Sequence, residues 1–388
     1  MARPLRILQM CAVDFTVRQF LLPLVDGLTA EGHTVDIACA PGPYFPELQS
    51  RGYRMIDNPV DRSLNALKHA AEVVRTWRLI RRNKYDIVHV HTPIASLVGR
   101  LAARLAGTPA IVYTAHGFYF HDQMSALKRR LFIGLEQFGS LCGHRILCVS
   151  DEDRQAAIQL GISRPANIET IFNGINTTHF SPSRFSAEDR REIRQQLGIP
   201  LDSLVVGVVG RMVREKGLLE LAEAATRLAP DHPRLHLLIV GDELPSDHDG
   251  IKSVLKQKLE EGGLTGRVTL PGLVPDPAPL LAAMDIFTLP SYREGMPISL
   301  LEAMAMELPC VTTDVRGCRE EVEHGRSGWI VPSRNSRELA NALHHALSDP
   351  VESATRGKAA RQRVLEHFDI ERIVARQMEI YRNLLQPN

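Results

Sequence analysis

Two cations and two carboxylates stand where a folded chain would gather them around an anion. The cations lie in Gly210-Arg211-Met212-Val213-Arg214-Glu215-Lys216-Gly217, which follows the apolar run 203–210 and opens onto an amphipathic stretch over 218–228. Arg211 and Lys216 are therefore expected at a strand end and a helix start, where free amides and the helix dipole already favour negative charge. A diphosphate leaving group gathers such charge as its bond breaks, and two cations neutralise it without a metal. For this loop alone, ordinary surface charge in a turn is an equal alternative.

The acids come from Ser291-Tyr292-Arg293-Glu294-Gly295-Met296-Pro297-Ile298 and its continuation to Glu302. Glu294 ends a loop after the run 286–289, Gly295 permits close backbone approach, and Pro297 suits the first turn of a helix whose amides point at the same spot. Glu302 follows about one and a half turns along that helix. One carboxylate is then placed for sugar hydroxyls and the other for a ribose. An isolated Glu-x7-Glu is common by chance, and its position after a strand gives it weight. A third loop, Leu270-Pro271-Gly272-Leu273-Val274-Pro275-Asp276, offers backbone groups around Val274 as a floor for a flat base, or is a plain Pro-rich turn. In the first half, Thr114-Ala115-His116-Gly117-Phe118 puts His116 after the run 110–114, where an imidazole can hydrogen-bond a substrate or move a proton. His89 and His91 have the look of a metal pair but lack a third ligand at a fitting spacing, so neither a metal nor a cofactor is expected.

These loops need strands to carry them. Short apolar runs at 6–10, 34–38, 87–91, 110–114 and 145–149 alternate with helical stretches, and the pattern repeats at 204–210, 235–241, 268–270, 286–289 and 309–312. That alternation predicts α/β architecture with two Rossmann-like, doubly wound parallel sheets. Asn-Gly and Ser-Pro punctuation over 173–183 places the boundary between a first domain at 1–180 and a second at 181–369. The last helical stretch, 370–385, has no strand after it and is expected to return to the first domain. Ligands of open parallel sheets sit beyond the carboxyl ends of the strands, so the loops above are the ones that matter.

The chain has 388 residues, 44% of them hydrophobic, enough for two real cores. Residues 1–180 carry 20 Lys+Arg against 15 Asp+Glu, and the remainder 26 against 30. That asymmetry is too small for a nucleic-acid protein, and it leaves the basic half suited to acidic lipid headgroups or to nothing beyond solvent. Two segments, 73–82 and 118–120 with 128–132, mix basic and aromatic residues; they suit a membrane surface or the solvated face of a domain helix. Six cysteines without a Cys-x-x-Cys pair read as reduced core thiols of a cytoplasmic protein. No stretch approaches about 18 uncharged apolar residues, and the run 7–13 is short for a signal peptide.

Taken jointly, Gly210-Arg211 with Lys216-Gly217, Leu289-Pro290-Ser291, Glu294-Gly295-Met296-Pro297, Glu302-Ala303-Met304-Ala305 and Asn173-Gly174-Ile175 resemble the retaining glycosyltransferases of family 4, with the GT-B fold. The resemblance implies two domains facing across a cleft and a nucleotide diphosphate sugar donor. It implies that Arg211 and Lys216 hold the diphosphate and that Glu294 and the amides of Gly295, Met296, Pro297 and Ile298 meet sugar and phosphate. Glu302 then meets the ribose, and His116 the sugar from the opposite wall. Retention of anomeric configuration comes from the resemblance alone. One departure concerns the first strand: many members have a Gly-Gly loop after it, where this chain has Met10-Cys11-Ala12-Val13-Asp14-Phe15-Thr16. The Thr-Ala-His-Gly-Phe stretch resembles the branch that builds capsule, lipopolysaccharide and polyprenyl-diphosphate-linked glycans, which implies a glycan or lipid-linked acceptor and peripheral membrane contact. A nucleotide-sugar epimerase and a non-catalytic carbohydrate-binding protein are the alternatives that share this layout.

Overall fold

The computed structural model describes residues 3–61, 66–120, 124–244, 247 and 249–386. It divides into two compact units, Met1–Asn173 with Glu371–Asn388, and Gly174–Ile370, so the break falls ahead of the expected boundary at 180.

Unit 1 holds seven parallel strands, β1 (Arg6–Val13), β2 (Thr34–Ala40), β3 (Arg54–Asp57), β4 (Ile87–His91), β5 (Ala110–Ala115), β6 (Arg145–Cys148) and β7 (Ile168–Thr170), in the order β3-β2-β1-β4-β5-β6-β7. Five were expected; the two additions, β3 and β7, are the sheet edges. An edge strand has one partner, and the half-exposed Arg-Met-Ile-Asp of β3 needs no continuous apolar run. β1 and β4 are buried on both faces, with Ile7 and Leu8 of β1 facing opposite core clusters. Three helices cover one face, α1 (Ala66–Asn83), α2 (Pro93–Ala106) and α3 (Ala126–Cys142).

Unit 2 holds six parallel strands, β8 (Leu204–Val209), β9 (Leu235–Val240), β10 (Val268–Gly272), β11 (Ile286–Leu289), β12 (Cys310–Thr313) and β13 (Trp329–Val331), in the order β10-β9-β8-β11-β12-β13. β13 was not expected, and it too is a three-residue edge. Helices α4 (Leu218–Leu228) and α5 (Ile298–Ala305) follow β8 and β11. The final helix, α6 (Ile370–Leu385), belongs almost wholly to unit 1. There Ile373, Met378, Ile380 and Tyr381 join the core cluster of β1 and β2, and Arg376 reaches Glu169 at 2.7 Å. All six cysteines are buried and unpaired. Among the described residues no helix is long and apolar enough to cross a membrane.

Candidate active site

Strand order decides where unit 2 can bind. The sheet runs outward in both directions from β8 and β11, so the loops after these two strands diverge and leave a crevice at their carboxyl ends. The first is the Arg211–Lys216 loop and the second the Glu294 loop. Lys216 sits at the end of a single 3-10 turn, Arg214–Lys216, and Gly217 then adopts a left-handed φ of +67° as α4 begins. A Cβ at Gly217 would lie 2.0 Å from the Pro290 carbonyl oxygen, so only glycine lets the two loops touch.

That contact brings Lys216 to Glu294. Its Nζ donates to Glu294 Oε1 at 2.6 Å, and Ser291 Oγ donates to the same oxygen at 2.6 Å. Both side chains of the ion pair are largely covered, 17% exposed for Lys216 and 10% for Glu294. Thr313 on β12 fixes the turn by donating to the Ser291 carbonyl at 2.5 Å. Gly317 does the same from the next loop, where a Cβ would meet the Gly295 carbonyl at 2.3 Å. Met296 and Pro297 are buried, Gly295 and Ile298 half-buried, and no side chain caps the start of α5. The start of α4 has no side-chain cap either, so each of the two switch-point strands is followed by a helix start without one, a setting for anionic oxygens.

Arg211 is placed differently from Lys216. It leans on Asp247, with Glu215 at 3.6 Å from its guanidinium, and remains 43% exposed. The two cations thus share a loop but no partner. Glu302 lies within α5, 8% exposed, and has no ion pair among the described residues. Burial, then the nearby charge of Asp276, raises its carboxyl to about 8. Val274 is half-buried in the loop that also carries Asp276, which accepts from His179 at 2.9 Å. Sequence reasoning gave Ser291 no role of its own and passed over Asp247 and Glu321. Glu321 is fully buried with both carboxylate oxygens unpartnered among the described residues, and burial followed by the charge of Glu294 pushes its carboxyl well up. Ser291 had a local signal, three residues ahead of a Glu in a turn; Asp247 and Glu321 had none.

In unit 1 the switch point lies between β1 and β4. His116, just beyond β5, packs on the Phe20 ring at 4.9 Å and is 3.3 Å from His91 Nδ1 through Nε2, while its Nδ1 has no partner among the described residues. His91 Nε2 contacts Gln9 Oε1 at 2.9 Å, and His89 bridges Thr114 (2.7 Å) and the Tyr381 hydroxyl (2.5 Å). These histidines are therefore committed to one another and to α6. Burial lowers His116 to about 4, so its ring is neutral at pH 7 and acts as a hydrogen-bonding group. Thr92, next after β4, holds a left-handed φ of 65°, strain of a kind that collects at functional sites. In place of a Gly-Gly loop, Asp14 turns inward to accept from the Tyr44 and Phe45 amides at 2.7 and 2.9 Å. Among the described residues no group of three or more His, Cys, Asp or Glu is arranged to hold a metal.

Comparison with known proteins gives this geometry a family. The model for glycosyl transferases group 1 matches residues 189–363 and that for Glycosyltransferase Family 4 matches residues 17–179. The chain is 31% identical to the UDP-Gal:alpha-D-GlcNAc-diphosphoundecaprenol alpha-1,3-galactosyltransferase of Escherichia coli, over 82% of this chain and 81% of the relative. It is 24% identical to the capsular polysaccharide biosynthesis glycosyltransferase CapM of Staphylococcus aureus, over 84% of each. Among solved structures, Anabaena HepE in complex with UDP aligns with a TM-score of 0.84 at 25% identity, covering 97% of this chain and 100% of that one. With two parallel-sheet units and these matches across both halves, the chain belongs to glycosyltransferase family 4, of the GT-B fold, and is a glycosyltransferase.

Proposed function

We propose that the chain transfers a hexose or N-acetylhexosamine from a UDP-sugar to a polyprenyl-diphosphate-linked glycan acceptor, with retention, during assembly of a cell-surface polysaccharide. The observation that carries the reading is the Lys216–Glu294 pair at the unit 2 switch point, with Glu302 buried on the helix that starts there. Lys216 and Arg211 take the diphosphate, the first amides of α5 and Glu294 take phosphate and sugar, and Glu302 takes the ribose hydroxyls. Backbone groups around Val274 take the base. His116, neutral and with Nδ1 unclaimed, is the unit 1 group we assign to substrate.

In the reaction the bond from the anomeric carbon to the β-phosphate oxygen breaks as the acceptor oxygen bonds to the same face of that carbon. The acceptor proton passes to the departing phosphate oxygen, so no protein base is required. Lys216 and the helix amides stabilise the charge left on the diphosphate. Choice of UDP is supported by HepE, whose solved complexes hold UDP and UDP-glucose. A lipid-linked acceptor is supported by the Escherichia coli relative, a galactosyltransferase named for alpha-D-GlcNAc-diphosphoundecaprenol. An acceptor with a polyprenyl tail resides in a membrane, so the enzyme works as a peripheral protein on the cytoplasmic leaflet.

The test is product analysis by mass spectrometry with a panel of UDP-, GDP- and ADP-sugars and a polyprenyl-diphosphate-linked sugar, with NMR of the new linkage. An α-linked product from a UDP-α-sugar supports the reading. Turnover of donor to an epimer without acceptor, or use of GDP- or ADP-sugars alone, overturns it.

A further inference from the structure

Unit 1 carries an apolar groove far from the histidine cluster in character: it is walled by α1, α2 and α3, with Val73, Leu97, Leu101, Tyr119, Leu135 and Phe138 among its lining. Its volume of about 470 Å³ lies within the range of small-molecule sites. The charged groups that reach it are paired within unit 1, with Arg100 Nη1 alone of its guanidinium nitrogens left without a hydrogen-bond partner among the described residues. Arg100 Nη2 pairs with Glu136 at 2.9 Å and its guanidinium lies 4.3 Å over the Tyr113 ring, while His69 contacts Glu72 at 2.8 Å. A peptide strand laid in this groove would lose water from its amides with few partners in exchange, which disfavours it. A hydrocarbon chain has no such need.

The rim adds charge complementarity. α3 opens with Leu127, Lys128, Arg130 and Leu131, all exposed, and Leu131 itself lines the groove. Tyr119, Leu131 and Phe138 are each about half exposed, an apolar surface with cations beside it. Apolar walls with ammonium and guanidinium groups at one end match an isoprenoid chain that ends in phosphate. We propose that the α1–α2–α3 groove holds the polyprenyl tail of the acceptor lipid, with Lys128 and Arg130 against the phosphates of that lipid and its neighbours. This rests on the lipid-linked reading above and adds where the lipid is recognised.

The experiment uses the full chain, a diazirine-bearing geranylgeranyl phosphate in detergent micelles, and peptide mapping by mass spectrometry. Label on α1, α2 and α3, competed by undecaprenyl phosphate and reduced in Leu97→Trp, is the expected result. Leu131→Glu, at an exposed site that folding tolerates, is expected to raise KM for a long-chain acceptor at least about tenfold and to leave KM for the UDP-sugar unchanged. Thermal shift with UDP checks that both variants remain folded. Label spread over the whole surface, label competed equally by ordinary phospholipid, or a concentration-dependent dimer that covers the groove overturns the proposal. If long-chain acceptors turn over but neither variant changes KM, the groove fails and the lipid-linked reading stands. If only water-soluble acceptors turn over, that reading itself fails.

Discussion

Lys216 Nζ sits 2.6 Å from Glu294 Oε1, and the two residues come from loops after β8 and β11, adjacent parallel strands from which the strand order runs outward to either side. Each is the other's charge partner, so a diphosphate arriving at Lys216 must share it with Glu294. Lys216→Ala is expected to lower kcat about 10²–10³-fold, the size of losing one oxyanion donor. Normal turnover of Lys216→Ala at saturating donor, measured by UDP release, would remove this residue from the chemistry. Because it leaves Glu294 covered and unpaired, the same change is expected to lower thermal stability, and Lys216→Ala with Glu294→Gln to regain part of it.

Gly217 makes the pair possible. Its left-handed φ and the 2.0 Å approach of any Cβ to the Pro290 oxygen mean that Gly217→Ala must push the two loops apart. Expected is a loss of about 2–4 kcal/mol in denaturant unfolding, together with weaker UDP binding. Retained stability with full UDP affinity would contradict the close packing of these loops.

Glu302 links pH to both stability and binding. Its folded carboxyl titrates near 8, above the ordinary carboxyl range, so the folded state holds a proton that the unfolded chain has released. Its contribution is fully present at low pH and is lost as pH rises toward and through about 8. Glu302→Gln should therefore unfold later than the parent at pH 8, by roughly 2 kcal/mol, with the gap closing toward pH 4. If ribose hydroxyls donate to the ionised carboxylate, UDP binding at pH 7 releases a proton, readable by calorimetry in buffers of different ionisation enthalpy. Proton uptake, or tighter UDP binding by the Gln variant, would exclude the ribose role.

The unit 1 histidines act in the opposite direction. Burial lowers His116 to about 4 and His89 to about 3, so each stays neutral in the folded state while the unfolded chain takes up a proton below about pH 6.5. Stability is full above that pH and falls as acid approaches the folded values, at up to about 1.4 kcal/mol per pH unit for each group. Melting curves from pH 7 to 4.5 should show this slope, and His89→Gln should flatten it. A melting temperature independent of pH in that window would contradict the buried, neutral assignment.

Much of this molecule could be read along the chain. The strands that lie inside each sheet are continuous apolar runs, since burial on both faces demands it, and the α4 and α6 ranges follow from their apolar spacing. The loops bearing Lys216 and Glu294 were identifiable because Gly and Pro mark a strand giving way to a helix. What tertiary structure alone decided is pairing and partner choice. The edges β3, β7 and β13 are too short to announce themselves, β3 being half exposed besides, and exist because a neighbouring strand offers its hydrogen bonds. Arg211 turns to Asp247 while Lys216 turns to Glu294, although both cations stand in one loop. Charge, exposure and the distance to an acid far away in sequence set that difference, and these exist only once β8 and β11 lie side by side.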